Sequence, residues 1–362
     1  MFSNKHYINI VSLLVIITLS SLFFYKFCER FLNTGIPGLL GALIFGILFL
    51  AVVIILDKNN FNIDIRYLII IAVVSLIIQI WEILSNGITD YQSSLWLQFY
   101  LTNQHPYGLY GSFALPAFYF ILVPFYILGN TVLSDSLGFL ILFILIFKFA
   151  GKNKETTLKT IIFLLSPLAF YGIIYFSGRI LLSTSFIVFI FMSNKAINNE
   201  KYNLTDILVA ILFGILMSSF FELGIVTIIY FLYRYKNDIR EFSFSIIISS
   251  IVFFLTLLPF LISRNGLEQS SNLFSSSIFL YVFPWWSIIF IILLTYYIGW
   301  IITDLQEMFF SFGIILFVIF IIEFITMDGA GEVTSNFLIA IPFLIFSVKN
   351  YRVDKFIGKV FG

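Results

Sequence analysis

Charge is scarce in this chain. Only 11% of its 362 residues are Asp, Glu, Lys or Arg, less than half of the ~25% that keeps a soluble domain wetted. That excludes a cytosolic enzyme and a charge-rich disordered chain. Cysteine is nearly absent. Cys28 stands alone, so no intrachain disulfide forms and a disulfide-stapled secreted scaffold is excluded; it reads as a small residue near a helix end. His6 and His105 are the only histidines and lie far apart, which removes a histidine-rich metal centre. There is no Gly-rich phosphate loop ending in Lys-Ser/Thr and no GxSxG elbow. The net charge of +1 names no partner, and no nucleic-acid partner is expected.

Apolar residues fill the space that charge leaves. They make up 60% of the chain, with 20% aromatic and a mean hydropathy of +1.06. Apolar runs of about 20 residues recur, long enough for helices that cross a bilayer. Barrel strands would instead be ~10-residue alternating segments. The expected fold class is therefore all-α, a polytopic transmembrane helical bundle of about 12 spans. These lie near 8–25, 37–56, 67–84, 134–148, 159–176, 180–194, 205–220, 222–233, 243–262, 286–303, 308–326 and 336–348. The first run has no small-residue cleavage site before it ends, so it reads as a retained span.

Lys and Arg favour the cytoplasmic side of a membrane. With both termini cytoplasmic, sixteen of the 20 positive residues fall inside and four outside: Lys26, Arg30, Arg179 and Arg264. The reverse orientation inverts that ratio. The apolar stretch 113–129 is treated apart. If it spanned, the Lys148–Lys159 cluster would move outside, and Pro116 and Pro124 interrupt its hydrogen bonding. It reads as a helix lying along the outer surface. Two large outer segments follow, 85–133 and 263–285, the first without Lys or Arg. No internal repeat or matched pair of broken helices suggests a transporter.

Ionisable groups beside or within spans are costly, and each is a functional candidate. At the outer face these are Glu82, Asp90, His105, Arg179, Glu222, Arg264, Glu323, Asp328 and Glu332. Asp90 is followed by Tyr91, Gln92, Trp96, Gln98 and Tyr100, then by His105, Pro106 and Tyr107. Aromatic faces and amides form the wall of a sugar site, and a carboxylate among them can serve as general base. Asp90 reads equally as the cap of a helix starting at Tyr91. Tyr281, Trp285 and Trp286 read as an interfacial aromatic belt. Asp328, Gly329, Gly331 and Glu332 read as a solvated acidic loop.

Asp90-Tyr91, then Pro106-Tyr107, then Leu115-Pro116 with Tyr119, resembles the first outer loop of the GT-C superfamily of membrane glycosyltransferases. The Lys148–Lys159 loop, the SPLAFYG segment at 166–172 and the turn at Ser177–Arg179 follow that family's order. The resemblance covers roughly 67–240. It divides the chain into two N-terminal spans, 1–66, and a GT-C-like core, 67–362, with the outer loop 85–133. The family's proline pair is a single Pro116 here, and Gly178-Arg179 stands where an acid is common. The resemblance implies an enzyme of the cytoplasmic membrane with its active site outside. It would move a sugar, as mannosyltransferases do, from a polyprenyl phosphate to a glycan or lipid acceptor. It assigns Asp90 as general base, with Arg179, His105 and Arg264 as candidates for the donor phosphate. Arg179 reads alternatively as a snorkelling span-end residue. Tyr91, Gln92, Tyr107, Glu222 and Glu323 would bind substrate, although Glu222 also reads as a solvated turn acid. No metal ligands are assigned; a divalent cation is the one cofactor this chemistry admits. The competing expectations are an envelope polysaccharide polymerase, and a lipid or sugar transporter or flippase without catalysis.

Overall fold

The computed structural model describes residues 5–32, 35–58, 63–85, 91–102, 114–149, 153–169, 178–195, 204–262, 278–327 and 331–349. The described residues are helical, with no strand among them. Five helices are long and apolar enough to cross a membrane, and shorter apolar helices accompany them. The protein is an integral membrane protein.

In chain order the helices are α1 (Lys5–Leu32), α2 (Ile36–Lys58), α3 (Ile65–Ser85), α4 (Tyr91–Leu101), α5 (Pro116–Ile127), α6 (Leu133–Phe149) and α7 (Asn153–Leu165). A 3-10 turn, Pro167–Ala169, follows. Then come α8 (Arg179–Lys195), α9 (Leu204–Met217), α10 (Phe221–Tyr235), α11 (Ile239–Ile262), α12 (Ile278–Val282), α13 (Trp285–Ile301), α14 (Leu305–Thr326) and α15 (Gly331–Ser347). The long helices match the expected apolar runs with shifted ends. The run expected over 159–176 is the main exception. Pro167 has no N–H to continue the ladder, so α7 stops at Leu165 and the 3-10 turn takes over.

The bundle has an inside and a lipid-facing outside. From Asn336 to Val348 every residue is buried, and Leu223 to Thr227 in α10 are buried without a break. By contrast α2, α3, α11 and α13 present Leu, Ile, Phe and Trp outward, among them Ile47, Trp81, Phe254 and Leu293. Lipid is as apolar as leucine, so close packing rather than water exclusion has to join such helices. Small residues permit it. A Cβ on Gly138 would stand 2.5 Å from the Leu181 backbone nitrogen, and one on Gly313 would stand 2.5 Å from the Leu344 side chain. The α6–α8 and α14–α15 crossings are set by that closeness.

Hydrogen bonds group the helix ends into two sets. At the near end, Asn9 at the start of α1 accepts from the Lys349 N–H at 2.9 Å and from Gln306 Nε2 at 3.0 Å. The Ser12 and Ser347 hydroxyls meet at 2.7 Å. The far end joins the end of α3 to the turn after α7, where Gln79 Nε2 donates to the Ala169 carbonyl at 2.6 Å. It joins the starts of α6 and α8, where Asp135 Oδ1 accepts from the Ile180 N–H at 2.9 Å.

Both ends of α5 attach to the far end. Leu115 and Ala117 donate to the carbonyls of Ser219 and Ser218 in the α9–α10 turn at 3.0 and 3.2 Å. The other terminus runs through Asn130 into the start of α6. The prolines do not break α5. Pro116 sits in its first turn, where a missing N–H costs nothing, and Pro124 forfeits one interior bond while the helix continues.

Candidate functional site

Of the ionisable groups that sequence reasoning singled out, Arg179, Glu222 and Glu323 are described, and all three lie on helices at the far end. α8 begins there after Gly178, whose φ of +84° is a left-handed conformation suited to glycine. A Cβ at Gly178 would also come within 2.9 Å of the Phe118 ring. This turn points Arg179 inward. Its residue is only 6% exposed, and its guanidinium carbon lies 5.5 Å from the Phe118 ring and 5.9 Å from the Phe220 ring. Phe118 and Phe220 meet edge-on, with centroids 5.3 Å apart. Arg179 is therefore not a snorkelling residue: its charge is buried over the Phe118 and Phe220 rings, where cation–π attraction offsets part of its desolvation.

An aromatic cluster continues from Phe118 to the helix that follows the Asp90 position. Trp96 of α4 stacks on Tyr119 of α5 at 4.1 Å with planes 8° apart, and Tyr100 stacks on Trp96 at 5.5 Å. Phe260 of α11 closes the cluster at 5.9 Å from Trp96. α4 covers Tyr91–Leu101, and Asp90 before it lies outside the described residues.

Two carboxyl groups complete this end. Glu222 occupies the first turn of α10 and is 3% exposed; Glu323 lies near the end of α14 and is 0% exposed. Their carboxyl groups stand within hydrogen-bonding reach of each other, and the Asn336 side chain of α15 lies against Glu323. Neither Glu323 oxygen nor Asn336 Oδ1 meets a donor in hydrogen-bonding geometry. Neither acid makes an ion pair among the described residues. The solvated reading of Glu222 is corrected: the Ser218–Ser219 turn before it is bonded to α5, which covers that side of the turn.

Asp90, His105, Tyr107, Arg264 and Asp328 lie outside the described residues. Tyr91, Gln92, Glu82, Tyr281 and Glu332 lie on helices, but their side chains are outside the description. Trp285 and Trp286 are 74% and 62% exposed at the start of α13, as belt residues would be. No group of three His, Cys, Asp or Glu side chains among the described residues could hold a metal. Sequence reasoning missed Asn336, whose amide looks ordinary until α15 sets it against Glu323. It also missed Asp135, which caps α8 from α6; an acid opening an apolar run was the available signal.

The near end also carries buried charge, arranged differently. Asp206 of α9 accepts from Arg234 and, at 3.0 Å, from the Tyr235 hydroxyl of α10. Arg234 also donates to the Ser193 carbonyl at 2.9 Å. Lys159 pairs with Glu155 at 2.9 Å and donates to the Phe346 carbonyl at 3.3 Å. Every charge named here has an opposite partner.

No protein-family model, curated protein or solved structure matches the chain.

Proposed function

We propose that the protein is a membrane glycosyltransferase of GT-C type, using a polyprenyl-phosphate sugar, with the far end facing the outside of the cytoplasmic membrane. The observation that carries the reading is Arg179: a buried guanidinium held over Phe118 and Phe220 at the end from which α4, the helix after Asp90, packs on α5. The attachment of both α5 termini to that end supports α5 as the membrane-lying helix of the first outer loop. The positions of Lys and Arg support cytoplasmic termini and about 12 spans.

In this reaction the acceptor hydroxyl attacks the sugar's anomeric carbon as the bond to the phosphate oxygen breaks. Asp90 takes the hydroxyl proton, and polyprenyl phosphate leaves with the electron pair. One displacement inverts the anomeric centre. Negative charge grows on the departing phosphate, and a planar guanidinium buried over aromatic rings is suited to receive it. Trp96, Tyr100 and Tyr119 supply flat faces for the sugar or the lipid. Tyr91, Gln92, Tyr107, His105, Arg264, Glu222 and Glu323 complete the candidate substrate contacts.

The test is transfer or hydrolysis of a labelled polyprenyl-phosphate sugar by the purified protein. Asp90→Asn should abolish turnover while the protein remains folded. Full turnover in Asp90→Asn removes the base assignment. The buried acid pair favours one competitor, a flippase or transporter, because such proteins place charge inside the bundle. Movement of the labelled lipid across vesicles without chemistry would favour it.

A further inference from the structure

We propose that aromatic girdles on α3 and α13 fit the protein to a bilayer whose apolar layer is about 21 Å thick, well below the ~30 Å of an ordinary hydrocarbon core. The partner is lipid of short acyl chain, whatever the reaction at the far end.

Both helices present an apolar face outward, and both carry Trp or Tyr at each end of that face. On α3 these are Tyr67 and Trp81, and on α13 they are Trp286 and Trp300, each more than half exposed. Such side chains settle where hydrocarbon meets headgroups, so a bilayer is what covers the faces between them. Arg66, exposed beside Tyr67, marks the wet side of that boundary. The ends agree with the rest of the bundle. Trp81 follows Gln79, which is bonded to Ala169 at the far end. Trp300 precedes Ile302, whose carbonyl accepts from Lys236 Nζ at 3.3 Å at the near end. Tyr67 and Trp81 are as far apart in sequence as Trp286 and Trp300, about 21 Å along a straight helix. Tilt only reduces that distance across the membrane.

The charges inside the bundle repeat the spacing. Far-end Asp135, Glu222 and Glu323 stand on the same helices as near-end Lys148, Arg234 and Glu307. Along α6, α10 and α14 the separations are roughly 20, 18 and 24 Å. A charge is costly in hydrocarbon, so a layer much thicker than these distances would swallow one end or the other. Helix length gives the same answer. α8, α9 and α10 have 17, 14 and 15 residues, about 21–26 Å of helix. A helix too long for the layer, such as α2 or α11 with 23 and 24 residues, shortens its span by tilting. A helix too short cannot stretch, and the lipid thins to meet it. The short helices and the girdles therefore set the thickness.

The experiment reconstitutes the full-length protein into phosphatidylcholine vesicles whose monounsaturated chains have about 14, 18 or 22 carbons, giving thin, ordinary and thick layers. Each lipid is mixed with its chain-brominated form. Quenching of tryptophan fluorescence gives its relative binding, and thermal unfolding midpoints are read in the same vesicles. We expect the short-chain lipid to bind most strongly, by roughly 2-fold or more over the middle one, and to give the highest midpoint. A maximum at the middle or long chain, or equal binding of all three, overturns the proposal. Absence of quenching by every lipid means that protein covers these faces and overturns it too. Combining Tyr296→Leu, Tyr297→Leu and Trp300→Leu removes the near-end girdle of α13, all three being exposed, and spares Thr295 and Gly299, the buried residues of that helix. The preference for the short chain should fall by roughly 2-fold, and a variant that keeps it in full overturns the girdle assignment. Should that variant not accumulate, Tyr67→Leu carries the same test on α3. Protein and lipid alone are measured, so failure here leaves the transferase reading standing, and full turnover in Asp90→Asn leaves the lipid fit standing.

Discussion

The two ends of the bundle bury charge to the same depth and handle it in opposite ways. At the near end Asp206, 3% exposed, meets Arg234, and Tyr235 serves the same oxygen. At the far end Glu222 and Glu323, as deeply buried, meet each other. Arg179 at that end also lies over the Phe118 and Phe220 rings. Matched buried charge holds helices in register; mismatched buried charge is costly and persists where a ligand completes it. The near end is thus read as structure and the far end as site.

The largest expected effect tests the structural half. Arg234→Ala strands the Asp206 carboxylate inside the bundle, and breaking a buried pair in this way costs about 3–5 kcal/mol. Thermal unfolding in detergent and the yield of folded protein should both fall sharply. Replacing both partners with leucine should cost far less, because no uncompensated charge remains. If the single variant unfolds like wild type, the near-end network is ornamental and the contrast between the ends collapses.

Arg179→Gln tests the other half. Removing one positioned donor of developing negative charge lowers turnover by roughly 10²–10³-fold, here with only a small shift in unfolding midpoint. The diagnostic is the split between the two readouts. Were the variant to lose stability as Arg234→Ala does, with activity merely tracking the folded fraction, Arg179 would be a strut and the two ends would be alike.

The link between packing and site can be loosened at one glycine. Gly138→Val drives a side chain into the Leu181 and Ile180 backbone at the α6–α8 crossing, an overpacking worth about 1–3 kcal/mol. The crossing lies directly beside Asp135, which holds the start of α8 and hence Arg179. Turnover should therefore drop by more than the fraction unfolded explains. Gly214→Val, which would press on Ser249 and Val252 elsewhere in the bundle, should lose stability without that excess.

Much of the fold was legible because a bilayer allows so few solutions. Apolar runs declare the long helices, and the distribution of Lys and Arg predicted that 113–129 lies along one end. Helix starts were placed late wherever polar caps precede the greasy part. α14 begins at Leu305 because Asp304 accepts from the Glu307 N–H while Glu307 accepts from Thr303. α11 begins at Ile239 under Asp238. The site was legible residue by residue but not as an arrangement. Glu222 and Glu323 were each visible as acids near span ends, yet only the packing of α10, α14 and α15 reveals that they face each other. Counting positive charge treated Arg234 as a topology marker and gave no hint of Asp206 as its partner.

The smallest expected effect separates the ends most cleanly, because it concerns a sign. Asp206→Asn removes a charge that Arg234 needs, so the variant should be less stable than wild type by about 1–3 kcal/mol. Glu323→Gln also keeps the shape, but it removes an acid that no cation among the described residues pairs with and gives the cluster an amide donor. It should be as stable as wild type or more so, by up to about 1 kcal/mol. Parallel unfolding curves of the two variants decide the matter. Opposite signs mean that the far end gives up stability for what it binds. Two losses of similar size would mean that Glu323 has a partner serving it as Arg234 serves Asp206, and the distinction between structure and site would have to be drawn elsewhere.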